Sequence, residues 1–229
     1  MGKLTDTDRK AVEDALRAGV LEPVDWPKMD LKDGAVVVLC GDGDQSESIL
    51  DGLTPEVEKQ CGTARIQLVA LNGGGPCLSP TSPLSNLGEV LFNFLREAAT
   101  TRKMRIIVET CSIPIHLAGY FMRVDMPLLF NIWGSVKLKR MRTVVLISHA
   151  PCGMAGMCMM SFVDLAVNLI KAKTFIKRVV KVFDRERLGL EAKVVFPCLV
   201  HVDYGDGRKE LYHFKTGPGA EWLAQRTHQ

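Results

Sequence analysis

Ala35-Val-Val-Val-Leu39 runs straight into Cys40-Gly-Asp-Gly-Asp44, a valine-rich stretch that stops at a loop of glycine and aspartate. A short, continuous apolar run bounded by turn residues reads as a parallel strand buried on both faces. The pattern recurs downstream. Ile66–Leu71 ends at Asn72-Gly-Gly-Gly-Pro76, and Thr143–Ile147 ends at Ser148-His-Ala-Pro-Cys152. Ligands of open α/β sheets gather beyond the carboxyl ends of the strands. Cys40, Asn72, His149 and Cys152 are therefore expected at one rim.

The intervening sequence supplies helices. Thr5–Ala18 places Val12, Leu16 and Val20 near helical spacing, with Gly19 as a stop. Pro23 and Pro27 mark a connector around Trp26. Leu84–Ala99 reads as a helix, Met104–Val108 as a further strand, and Ile113–Lys139, interrupted by Pro114 and Pro127, as helix in pieces. A long helix is expected over about Met157 to Phe183. Ala192–Val202, a turn at Asp203-Tyr-Gly-Asp-Gly207 and Lys209–Phe214 read as a closing antiparallel hairpin. Strands alternating with helices predict an α/β fold, with a mostly parallel central sheet flanked by helices and an antiparallel edge hairpin. One domain is expected: residues 1–34 as an N-terminal helical arm, 35–214 as the core and 215–229 as a tail.

The 229 residues are 47% hydrophobic, enough for a full core. Charge is uneven: residues 1–100 carry 9 basic and 16 acidic side chains, and the other 129 carry 20 and 10. The basic helix Lys171–Arg187 could dock a membrane or an acidic partner, but such runs are usually solvated or subunit-facing surfaces. The seven cysteines are odd in number and follow a polar N-terminus, so reduced thiols in a cytoplasmic compartment are expected. No apolar run reaches the roughly 18 residues of a membrane span, and no nucleic-acid partner is expected.

Chemistry concentrates in three side chains. Catalytic zinc takes thiolate, imidazole or carboxylate ligands, three from the protein, and leaves the fourth position for water. His149 and Cys152 stand three apart on a loop entering a helix, so both can reach one ion. Cys40 lies far upstream, but also at a strand end. Alone, Cys40 would read as a buried thiol and His149 as a hydrogen-bonded core residue; the joint pattern favours a zinc site. A zinc deaminase is excluded, because no Glu follows His149 in H-x-E and no second Cys follows Pro151-Cys152 at the required spacing. The triple glycine lacks the Lys and Ser/Thr of a P-loop. Asp42, Asp44 and Glu47 fail the calcium-loop pattern after Asp44. Cys61, Cys77, Cys111, Cys158 and Cys198 read as structural or incidental. Met154, Met157, Met159 and Met160 read as core packing.

The Cys40-Gly-Asp-Gly-Asp44 loop and the Ser148-His-Ala-Pro-Cys-Gly153 loop together resemble the β-class carbonic anhydrases, which carry C-x-D-x-R after a first core strand and H-x-x-C-G after a later one. Ala70-Leu-Asn-Gly-Gly-Gly75 loosely resembles that family's Asn- and Gly-containing loop, and Val200–Leu211 its last hairpin. The resemblance implies that Cys40, His149 and Cys152 ligate zinc. Asp42 would be the carboxylate that accepts a hydrogen bond from zinc-bound hydroxide or swings onto the metal as a fourth ligand. Asn72, Gly74 and Gly153 would be substrate-pocket candidates. The implied activity is hydration of carbon dioxide to bicarbonate by a homodimer or higher assembly. Hydrolysis of carbonyl sulfide or carbon disulfide is a variant within the class. His116, His201 and His213 are candidate proton shuttles, because imidazole titrates in the right range.

Two departures from the family pattern stand out. Asp44 occupies the Arg position of C-x-D-x-R. In the family that Arg keeps the Asp off the metal, so here Asp42 could close the site and leave a non-catalytic zinc protein. Arg65 or Arg142 could substitute through space. The segment between Cys40 and His149 is also longer than in the family. A further alternative, without metal, is an anion-binding scaffold that uses the basic C-terminal half.

Overall fold

The structure, a computed structural model, describes residues 4–41, 43–70, 73–85, 96, 100–110, 125–187 and 193–226. Helix α1 (Asp6–Arg17) starts at Thr5, whose hydroxyl accepts the Asp8 N–H at 3.0 Å. Strand β1 (Leu21–Pro23) follows, then a 3-10 turn at Trp26–Lys28 and strand β2 (Ala35–Leu39). Helix α2 (Gly43–Cys61) leads into β3 (Ile66–Ala70). After 3-10 turns at Gly75–Leu78 and Pro83–Ser85 come α3 (Arg102–Thr110) and α4 (Asp125–Lys139). Strand β4 (Thr143–Ala150), the short α5 (Gly153–Met157) and the long α6 (Phe162–Arg187) precede the hairpin of β5 (Cys198–Asp203) and β6 (Lys209–Phe214). Helix α7 (Thr216–Ala224) ends the described chain.

The six strands form one mixed sheet in the order β1-β6-β5-β4-β2-β3. Strands β3, β2, β4 and β5 pair in parallel, whereas β6 is antiparallel to both β5 and β1. The α/β class and the antiparallel hairpin therefore stand. The hairpin is not the edge, because β1 adds one more strand outside it.

Strand β2 is buried along its whole length because helices cover both faces, as its unbroken valine run requires. Its residues alternate between two cores. Val36 and Val38 join Leu146, Leu169, Ile176 and Trp222 on the face covered by α1, α4, α6 and α7. Ala35, Val37 and Leu39 join Ile49, Leu53 and Val57 of α2 on the other. Both flanking segments pack onto this framework: β1 joins the sheet, and α7 buries Trp222 and Leu223.

Three expectations need correction or extension. Met104–Val108 lies in a helix, α3, and not in a strand. A run this short fits either period, and Met104 and Ile106 are about half exposed, where a central strand would be buried. The long helix expected from about Met157 to Phe183 is α6, which starts later, at Phe162, after the short α5 has ended at Met157. Ser161 and Asp164 form a reciprocal cap, with the Ser161 N–H donating to Asp164 Oδ2 at 2.9 Å and the Asp164 N–H to Ser161 Oγ at 3.2 Å, so α6 starts afresh at Phe162. Helix α2 is an addition, tied down by Gln60, which accepts the Leu31 N–H and donates to the Met29 carbonyl. The helix expected over Leu84–Ala99 lies mostly outside the described residues.

Candidate metal centre

Strands β2 and β4 are adjacent and parallel, in register from Ala35 opposite Thr143 to Val38 opposite Leu146. Their carboxyl ends therefore finish together. Cys40 follows the end of β2, His149 is the penultimate residue of β4, and Cys152 is the N-cap just before α5. The two sulfurs and one ring nitrogen all lie within 4.8 Å of one another, on three buried side chains. A tetrahedral zinc with Zn–S near 2.3 Å holds two sulfurs about 3.8 Å apart. A closing movement of about 1 Å or less would therefore complete the geometry. The donor set is soft and nitrogen-containing, as zinc prefers, and among the described residues no fourth ligand joins the group.

The thiols behave as one acid–base unit. Cys152 donates its S–H toward Cys40, and His149 and the Gly73 N–H also stabilise the Cys40 sulfur, so against burial the Cys40 thiol is held below its ordinary value. That same contact with Cys40, together with burial, pushes Cys152 up, while the N–H groups of Ala155 and Met154 pull the other way. Loading a divalent ion would displace thiol protons from the pair, because the metal ligand is the thiolate.

The glycine loop after β3 forms the flank of this group. The Gly73 N–H donates to Cys40 Sγ at 3.1 Å. Gly74 has φ +60°, in the left-handed region, and a Cβ built on it would sit 2.7 Å from the Ile147 carbonyl oxygen and 2.9 Å from the Cys40 nitrogen. Only glycine fits where the loop crosses the ends of β2 and β4. Gly73 was not singled out from the sequence; its contribution is a backbone N–H, and only the glycine run itself hinted at it.

The structure sorts the other candidates. His201 stands opposite His149 in the β4–β5 register and lies 3.2 Å from Ser48 Oγ, so it belongs beside the group. Ser148, on the Cys40 face, has a fully buried hydroxyl with no hydrogen-bond partner among the described residues. His213 is not brought to the site: it pairs with Leu199 in register and contacts Glu22 at 3.3 Å, toward the opposite end of the sheet. Arg65 and Arg142 do not substitute for the missing arginine. Arg142 pairs with Asp33 at 2.8 Å just before β4, and Arg65 donates to the Lys139 carbonyl just before β3, both at the amino ends of strands. Gly153 opens α5 with open space around it. Asp42, Asn72, His116 and Cys111 lie outside the described residues.

No family model, no curated protein and no solved structure matches this chain. Among the described residues, no helix is long and apolar enough to cross a membrane.

Proposed function

We propose that the chain binds one zinc ion through Cys40, His149 and Cys152 and hydrates carbon dioxide to bicarbonate, in the manner of the β-class carbonic anhydrases that its motifs resemble. The observation that carries this reading is the convergence of two thiols and one imidazole, from segments more than a hundred residues apart, at the ends of two adjacent strands. When bound, zinc supplies Lewis acidity that brings the pKa of a water ligand from 15.7 to about 7. The two thiolates would balance the charge of the ion, and neutral His149 would complete the set. The Gly73 N–H would hold the Cys40 sulfur in place, an outer hydrogen bond of the kind that commonly changes metal affinity by about 10- to 100-fold. Asp42, by its place in the motif, would accept the hydrogen bond of the attacking water.

A second reading has support of its own. Asp44 stands where the family has arginine, and neither Arg65 nor Arg142 reaches the rim. Asp42 would then close the metal as a fourth ligand, making the protein a non-catalytic zinc module. Two measurements separate the readings. Protein purified without a metal-affinity tag should carry about one zinc per chain, with a clear loss in Cys152→Ser. X-ray absorption of the loaded protein should show a water ligand if it is an enzyme and a carboxylate if it is closed. Absence of hydration activity in fully loaded protein between roughly pH 6.5 and 9, on either side of the water pKa that zinc sets, would sink the anhydrase reading. Turnover of carbonyl sulfide or carbon disulfide in the same preparation would redirect it within the class.

A further inference from the structure

The sheet carries a second feature at the end opposite the metal centre. Strand β4 enters it at Thr143 and reaches the thiol group at His149, six steps later, so the two places are about 20 Å apart. Around Thr143 opens a cavity of about 770 Å³, within the range of small-molecule sites. Its apolar side is formed by Met29 and by Val194, Val195, Phe196 and Pro197, where the chain runs into β5. Its lysines are Lys28, which Asp25 pairs, Lys173 and Lys177, one turn apart on α6, and Lys193.

Charge decides which ligand this cavity fits. Its carboxylates are already paired: Glu22 with Lys215 at 2.6 Å, Asp25 with Lys28 at 2.6 Å and Asp30 with Lys32 at 3.4 Å. Lys173, Lys177 and Lys193 have no carboxylate within ion-pair distance among the described residues, and Lys173 is turned to Thr216 Oγ1 at 2.9 Å. Three cations without counter-charge among the described residues, beside an apolar side, favour an anion of two or more charges attached to an apolar or aromatic body. Lysines bind phosphate as point charges. The paired carboxylates of the lining can accept from hydroxyl or amino groups.

We infer that this cavity is a binding site for a phosphate-bearing organic molecule of nucleotide size, with its phosphates on Lys173, Lys177 and Lys193 and its body over Phe196 and Pro197. The site needs neither the metal nor the reaction proposed for the other rim. The probe is ADP, titrated calorimetrically into the wild type, into Lys177→Ala/Lys193→Ala and into the metal-site variant Cys152→Ser, with inorganic phosphate as a parallel titrant. Lys177 and Lys193 are exposed, so the double variant should fold, which its thermal melt checks. ADP should bind saturably with one site, more tightly than inorganic phosphate, and should weaken about tenfold or more in the lysine variant, while Cys152→Ser leaves it unchanged. No saturable ADP binding, equal binding to a folded lysine variant, or phosphate binding as tightly as ADP would each overturn the assignment. Failure of zinc binding would leave it standing.

Discussion

Replacing Gly74 with alanine tests how tightly the glycine loop is locked to the metal centre. Its backbone at φ +60°, ψ −143° is one that side-chain-bearing residues rarely adopt, a strain that costs about 1–3 kcal/mol. The new Cβ would meet backbone atoms at 2.7 and 2.9 Å, the Ile147 oxygen and the Cys40 nitrogen, which cannot swing aside like a side-chain tip. Overpacking of this kind adds about 1–3 kcal/mol. The expected loss is therefore about 2–6 kcal/mol, read as the shift of the urea unfolding midpoint at unchanged slope. Relief requires the loop to move outward and take the Gly73 N–H away from Cys40, so zinc per chain should fall as well. Gly153→Ala is the control: its Cβ meets nothing within 4 Å at the start of α5, and stability should stay within about 0.5 kcal/mol of the wild type or rise. A Gly74→Ala protein as stable and as metal-rich as Gly153→Ala would refute the close-approach argument.

Two further outcomes concern pH. Burial pushes the Cys198 thiol up to about 12 from 9.0, so its contribution to stability is complete below pH 9 and is lost as pH rises toward 12. The stability difference between wild type and Cys198→Ala should shrink by about 1.4 kcal/mol per pH unit above 9 in urea titrations; a constant difference would contradict it. At the acid end, Lys215 and then His213 hold the Glu22 carboxyl below its ordinary value of 4.5. That contribution is present above pH 4.5 and disappears as pH falls, so the melting-temperature gap between wild type and Glu22→Gln should close below that pH.

The strands that form the metal centre were legible because they are buried on both faces: Ala35–Leu39 and Thr143–Ile147 admit little but β-branched and apolar residues, and each ends where its chemistry begins. Lys209–Phe214 was legible from the turn before it. Residues 104–108 misled because five apolar-rich positions carry no decisive period. Helix α2 went unassigned, its polar stretch broken by Gly52 and Pro55, although its Ile49, Leu53 and Val57 keep a helical spacing. At the site, side-chain ligands announce themselves by residue type. The Gly73 N–H acts through position alone, which emerges only when β2, β3 and β4 are laid side by side.

The pairing of Leu21 with Phe214 bears on how this protein is made. All three proposed ligands emerge from the ribosome before β6 does, and the parallel pairing of β2 with β4 can begin once residue 150 is free. Strand β1 precedes all of these segments and must wait until β6 is translated before its partner exists. During synthesis its backbone edge stays open until β6 emerges, and β1 then joins through the strand pairing most distant in sequence. Folding in the test tube should be correspondingly slow.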